Sequence, residues 1–197
     1  MKKILLLVFS FTFLFSYDAV QLEKFKKTLV CEDCDLTDAK LTSMNLQNAN
    51  FAGSDLSGAD LSKSNFSKSS FWGTKLEDVK GIDSNFFQSN FENATIKNST
   101  FDRSNFKGAN MKLTEIKDVS FKESNLWGVR FDEASIDNVN FSSSRIADAR
   151  FIDLDLLSSD LSDTLAFGAV FERVNLLQKD CDYLKSEEAK FKDDDCQ

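Results

Sequence analysis

Residues 46–66 read LQNANFAGSDLSGADLSKSNF, and Leu46, Phe51, Leu56, Leu61 and Phe66 stand at every fifth place. Two residues before each of the last four comes a small side chain, Ala49, Ser54, Ala59 or Ser64, followed by Asn50, Asp55, Asp60 or Asn65. A period of five matches neither the 3.6 of a helix nor the 2 of a strand. It demands a backbone that turns once per pentad. Followed outward, the register runs from Leu36 to Leu176 without a slip, and every fifth residue is large and apolar except Gly81 and Ala166. The small residue two places earlier recurs with it, and Met44 and Leu154 depart from the rule.

Segments such as Ala49-Asn50-Phe51-Ala52-Gly53, Ala59-Asp60-Leu61-Ser62-Lys63 and Ser104-Asn105-Phe106-Lys107-Gly108 resemble the A(D/N)LXX unit of pentapeptide-repeat proteins. The resemblance covers residues 34–178. It implies an all-β fold, a right-handed quadrilateral parallel β-helix in which four pentads make one coil and the central and small residues point inward. A 20-residue coil stacks every fourth pentad on one face. Sorted in that way, Phe51, Phe71, Phe91, Met111, Phe131, Phe151 and Phe171 share a face. Another collects Leu36, Leu56, Leu76, Ile96, Ile116, Ile136, Leu156 and Leu176, with no aromatic residue. Such segregation is expected where like side chains stack between coils about 4.8 Å apart. Asn45, Asn65, Asn85, Asn105 and Asn125 align on a third face, where stacked amides can bond from coil to coil. About seven coils would make a rod roughly 34 Å long. The chain has 20 Phe and no Pro, which suits an aromatic interior and strands whose N–H groups must all pair.

A solenoid has an open edge at each end unless it is capped. Within residues 17–33, the spacing of Val20, Leu22, Phe25, Leu29 and Val30 predicts an N-terminal capping helix. Residues 179–197, with Tyr183, Leu184, Ala189 and Phe191 in a charged stretch, are expected to form a C-terminal cap. The four Cys fall where caps join rod. A disulfide needs Cα atoms within about 7 Å, so opposite ends of the rod cannot be bridged. If both pairs are oxidised, the connectivity is Cys31–Cys34 and Cys181–Cys196.

Residues 1–16 read as a signal peptide. Lys2 and Lys3 precede an apolar run from Ile4 to Phe15 that is too short to span a bilayer comfortably, and cleavage is expected after Ser16. No Cys adjoins that site, which argues against a lipid anchor. A periplasmic or secreted location follows as an expectation, with no membrane association once the signal is removed. Cleavage removes two of 24 basic residues and leaves 32 acidic ones, taking the net charge from −8 to about −10. Neither nucleic acid nor an anionic membrane is a fitting partner for such a chain.

The absence of His excludes imidazole acid–base chemistry, Ser-His and Cys-His nucleophiles and His-containing metal sites. Cys31-Glu32-Asp33-Cys34 is a CxxC, but the βαβ context of a thioredoxin-like redox motif is missing and two further zinc ligands would lie at the far end. A structural disulfide is the favoured reading. Acidic pairs such as Glu77 with Asp78 and Asp132 with Glu133 lie on a wall rather than in a cleft, so no catalytic residue, cofactor or metal is expected.

Apolar residues directly after the central position should face water. On the asparagine face these are Phe87, Trp127 and Phe167, with Lys107 and Ala147 between them, and the adjoining face adds Trp72 and Ile152. A row of exposed aromatics marks a candidate surface for a protein partner or for self-association. The reading is an exported, non-enzymatic scaffold. Two alternatives stand beside it. The resemblance implies a gyrase-protecting DNA mimic, against which count export and the lysines Lys63, Lys75, Lys80, Lys97, Lys107, Lys117 and Lys122 mixed into the walls. The other is a redox or envelope protein using Cys31 and Cys34.

Overall fold

Each pentad turns at the two residues that follow its central apolar one. The second of these takes a positive φ, as at Asp38, Lys63, Gln88 and Glu133. In many pentads the next N–H donates back to the central carbonyl, Ala39 to Leu36 at 3.1 Å and Ala59 to Leu56 at 3.0 Å, and in others, such as that of Lys63, it donates to a serine hydroxyl of the next coil. Positive φ at the third residue makes the turn type II. Gly53 and Gly58 suit that place for a second reason, since a Cβ on either would lie within 2.1 Å of Asp33 Oδ1 or Asp38 Oδ1.

The computed structural model describes residues 19–192 and is a parallel β-solenoid. Rungs pair residue i with residue i+20 on four sides, for example Asp35 with Asp55, Lys40 with Asp60, Asn45 with Asn65 and Asn50 with Ser70. Where pairing is most regular it forms short strands. One sheet joins β1 (Lys75–Glu77), β2 (Thr95–Lys97), β3 (Glu115–Ser120) and β4 (Ser135–Asn140), all parallel. A second joins β5 (Arg150–Asp155), β6 (Val170–Asn175) and β7 (Lys190–Lys192).

The interior is apolar and segregated by face. Phe51 stacks on Phe71 with ring centroids 5.0 Å apart, and Phe71 stacks on Phe91 at 4.6 Å. Beyond Met111 the column resumes, with Phe151 to Phe171 at 4.9 Å. Stacking at this distance follows from the strand spacing, because in-register rings cannot be much further apart. A column of inward hydroxyls complements the rings. Ser104 Oγ donates to the Gly81 carbonyl at 2.6 Å and accepts from the Ser84 N–H at 2.9 Å, and Ser64, Ser84 and Ser124 repeat the arrangement. The small residue is therefore small for space and, on this face, polar because it satisfies buried backbone groups.

Two helices close the ends. α1 (Ala19–Thr28) buries Leu22 and Phe25, and the Phe25 ring lies 4.8 Å from Phe51, at the head of the Phe column. The register residue at that place is Cys31, whose disulfide to Cys34 has a Cα–Cα distance of 5.4 Å. A helix side chain thus supplies the ring that the disulfide-bonded first coil lacks. At the other end, α2 (Gln178–Ser186) buries Cys181 and Leu184, and Tyr183 Oη donates to the Thr164 carbonyl at 2.8 Å. Phe191 continues the column 5.1 Å from Phe171. Cys181 is disulfide-bonded; Cys196 lies outside the described residues, as do residues 1–18.

Candidate interaction wall

The asparagine face is built on a side-chain ladder. Asn65 Nδ2 donates to Asn45 Oδ1, Asn85 to Asn65 and Asn105 to Asn85, each at 3.0 Å, and Asn125 to Asn105 at 3.2 Å. The Oδ1 atoms of Asn65, Asn85, Asn105 and Asn125 also accept the N–H two residues on, as Asn85 does from Phe87 and Asn125 from Trp127, both at 3.2 Å. These bonds fix where residues 67, 87, 107 and 127 emerge. The ladder stops after Asn125, where the same column continues as Arg145 and Leu165.

Where it stops, the wall turns apolar. Phe167 is 64% exposed and Leu165 is 58% exposed, side by side in one pentad. With Trp127, Ala147, Arg145, Asp148 and Glu187 they line a surface depression of about 510 Å³. Trp127 is only half-buried and already engaged. Lys107 Nζ sits 3.7 Å from its ring centroid, the Arg145 guanidinium carbon lies 4.8 Å away, and its indole N–H donates to Asp148 Oδ2 at 2.7 Å. Phe87, two coils towards the N-terminus, is also half-buried.

On the adjoining face the two candidates part company. Trp72 is 50% exposed. Ile152 is 7% exposed, which corrects the expectation that it faces water. It lies in β5 between Asp132 and Glu172 of the flanking coils. Those carboxylates hold Arg130 and Arg150 on one side and Arg173 and Lys192 on the other, and long paired side chains leave little room for solvent over the residue between. Leu165 escapes the sequence criterion because it precedes the central position. The break in the asparagine column is the signal that identifies it.

Elsewhere the walls carry scattered ion pairs between neighbouring coils. Arg103 donates to Asp83 at 2.8 Å and Lys117 to Asp137 at 2.7 Å, and these bonds hold both carboxyls below the usual range. Cys31 is 2% exposed and Cys34 half-buried, with both sulfurs at inward register positions. Among the described residues, no group of three or more His, Cys, Asp or Glu is placed to hold a metal ion, and no helix is long and apolar enough to cross a membrane.

Such a ladder of pentads defines a repeat protein of the β-solenoid class. A family model described as pentapeptide repeats (8 copies) matches residues 33–79, and a pentapeptide repeat region model matches residues 94–178. The chain belongs to the pentapeptide-repeat family. Similar solved structures include alr5209, a pentapeptide repeat protein from Nostoc PCC 7120, at 14% identity over 52% of this chain and 84% of that one, with a TM-score of 0.44. QnrB1, a plasmid-mediated fluoroquinolone resistance protein, is 15% identical over 80% of this chain and 95% of its own, with a TM-score of 0.37. Rfr23 from the cyanobacterium Cyanothece 51142 is 13% identical over 88% and 98%, with a TM-score of 0.27. No curated protein sequence matches the chain.

Proposed function

We propose that the protein is an exported, non-enzymatic scaffold that takes hold of a protein partner with the C-terminal part of its asparagine wall. The observation that carries this reading is the exposure of Phe167 and Leu165 together at the point where the ladder ends. Aromatic residues such as Phe167 are enriched at interface cores, and a rigid wall loses little entropy on contact. The closed Cys31–Cys34 disulfide supports export, since such bonds persist in oxidising compartments. N-terminal sequencing of the exported protein should begin at Tyr17. The cations set among the carboxylates speak against the DNA-mimic alternative, because Lys75, Lys97, Arg103 and Lys117 pair with Asp55, Glu115, Asp83 and Asp137 and interrupt a continuous anionic strip. The placement of Cys31, buried, and Cys34, half-buried, at inward register positions of the first coil speaks for a structural bond over the redox alternative.

A photoreactive benzoylphenylalanine in place of Phe167 tests the wall. Cross-linking to one partner species is expected at this position and not at Ser62 on a different face. Leu165→Ser with Phe167→Ser should weaken capture of that species by roughly 30-fold or more, the scale of a lost hot spot, with the circular dichroism unchanged. Equal cross-linking from both positions would remove this wall from consideration.

A further inference from the structure

The face that carries Trp72 and Ile152 has its own break in the repeat. The residue before its central position is Asn50, Ser70, Asn90 and Asn110 in turn, and then Arg130 and Arg150. Asn50, Asn90 and Asn110 each accept the N–H two residues on, at 3.1, 3.1 and 3.3 Å. A guanidinium has no acceptor and cannot do this. The exchange also pairs Arg130 with Arg150 across one rung, setting two like charges on backbones about 4.8 Å apart. The fold requires neither arginine, and departures of that kind gather at functional sites.

Asp132 holds both side chains. Its buried carboxylate accepts from Arg130 Nε at 3.3 Å and Nη2 at 3.1 Å through Oδ2, and from Arg150 Nε at 3.2 Å through Oδ1. The arginine side chains are nonetheless 50% and 44% exposed. Arg130 Nη1 and both Nη atoms of Arg150 make no hydrogen bond among the described residues. Other arginines of the walls are matched differently. Arg103 meets the two oxygens of Asp83, one guanidinium to one carboxylate, and Arg173 meets Asp153 and Glu172, one to two. At Asp132 the ratio is two to one, which leaves a positive charge over.

The neighbouring charges do not remove it. Lys112 and Glu133 oppose each other in sign, and neither pairs with the triad. Asp148 bonds the Trp127 indole on the asparagine wall, and Lys190 approaches the same corner. Asp153 and Glu172 are taken by Arg173.

We infer that Arg130 and Arg150 form a receptor for a carboxylate, the acidic side chain of a partner protein. A monoanion matches the single charge left over, and Asp132 shows that the two guanidiniums are spaced to share one carboxylate. Planar N–H forks meet carboxylate oxygens in parallel pairs. The receptor lies on the face adjoining the asparagine wall and does not depend on Phe167 or Leu165.

The Nε–H resonances of Arg130 and Arg150 in ¹⁵N-labelled protein report on the receptor. They are followed at constant ionic strength during titration with a glycine-leucine-glutamate-leucine-glycine peptide blocked at both ends, and with the same peptide carrying glutamine. A saturable shift is expected for the glutamate peptide, with the glutamine peptide weaker by about tenfold or more, the scale of a lost charge-assisted hydrogen bond. Arg150→Gln, read on the Arg130 resonance, should weaken the glutamate peptide by a similar factor. Arg103→Gln makes the same change of charge at a guanidinium already closed on Asp83, and should leave binding unaltered. Circular dichroism checks that both variants fold. Equal losses from the two variants would reduce the effect to net charge, and equal shifts from the two peptides would reduce it to apolar contact; either overturns the receptor, as does the absence of any response. Acetate binding as tightly as the glutamate peptide would assign the pair to a free carboxylate, and tighter binding of inorganic phosphate to another oxyanion. Both results would remove the acidic side chain as the ligand, while cross-linking from position 167 judges the asparagine wall independently.

Discussion

Gly81 stands at a central position, where a methyl group would meet the Phe101 ring at 2.4 Å. The one glycine in the central register is therefore compensation for an aromatic ring in the next coil of the same column. Gly81→Ala should lower stability by about 1–3 kcal/mol, the usual cost of overpacking a tight interior. Thermal unfolding measures it, and Phe101→Leu in the same chain should return part of the loss; an additive double variant would refute the pairing. Asp180 poses the opposite problem. Its Oδ2 is buried without a hydrogen-bond partner in α2, and burial, with Asp160 adding its charge, pushes the carboxyl above the usual range. A raised folded pKa means that the folded state takes up a proton more readily than the unfolded chain. The associated stability is fully present below the unfolded value of about 3.9 and is lost as pH rises through the folded one. Asp180→Asn should accordingly raise the unfolding midpoint at pH 7 to 8 and have little effect near pH 3.

The capping elements act on whole coils. Phe25 is the larger of the two side chains that α1 buries in the core, and truncating a buried Phe to Ala costs about 3–5 kcal/mol. In a solenoid each coil touches only its neighbours, so the loss should stay near the N-terminus. Phe25→Ala is expected to speed hydrogen exchange at the Leu36 and Leu41 amides and leave those of Phe131 and Phe151 unchanged. Uniform acceleration along the rod would mean that it unfolds as a single unit. The same locality explains what is legible in the sequence. Every inward position repeats its own demand each coil, and the wall asparagines repeat their amide bonds likewise, so the pentad period, the Phe column and the asparagine ladder can all be read from spacing. The other outward positions carry no such repetition. Ile152 is covered by side chains that arrive from residues 132 and 172, and Trp127 is clamped by Lys107 and Arg145, relations that the spacing places in adjacent coils without showing which way the long side chains lean. Phe25 is visible as part of an apolar helix face, yet its place above Phe51 depends on where the helix lies.

At the scale of the whole molecule, the rod must remain a single rod although its backbone is a template for more. The first coil receives the Asn50 and Asp55 N–H bonds on its inner edge, at the Leu29 and Cys34 carbonyls, while Gln21 of α1 accepts the Asp35 N–H at 2.9 Å on the outer edge. The cap thus covers the stacked rings with Phe25 and engages one of the donors that would otherwise face a second chain. The disulfide holds the coil beneath it in register, with Ser54 bonded to both the Cys31 carbonyl and the Cys34 N–H. Exposed ion pairs along the walls contribute little to holding coils together, since pairs as open as Lys117–Asp137 are screened by water. The ends therefore decide solubility. Opening one end, by Phe25→Ala combined with Cys31→Ser and Cys34→Ser, would bare a parallel edge whose pairing potential is satisfied by another copy. Light scattering should show concentration-dependent end-to-end growth for the triple variant and none for the parent chain, with the parallel-sheet circular dichroism retained. A triple variant that stays monomeric at the same concentrations would show that α1 and the disulfide stabilise the first coil without guarding the edge.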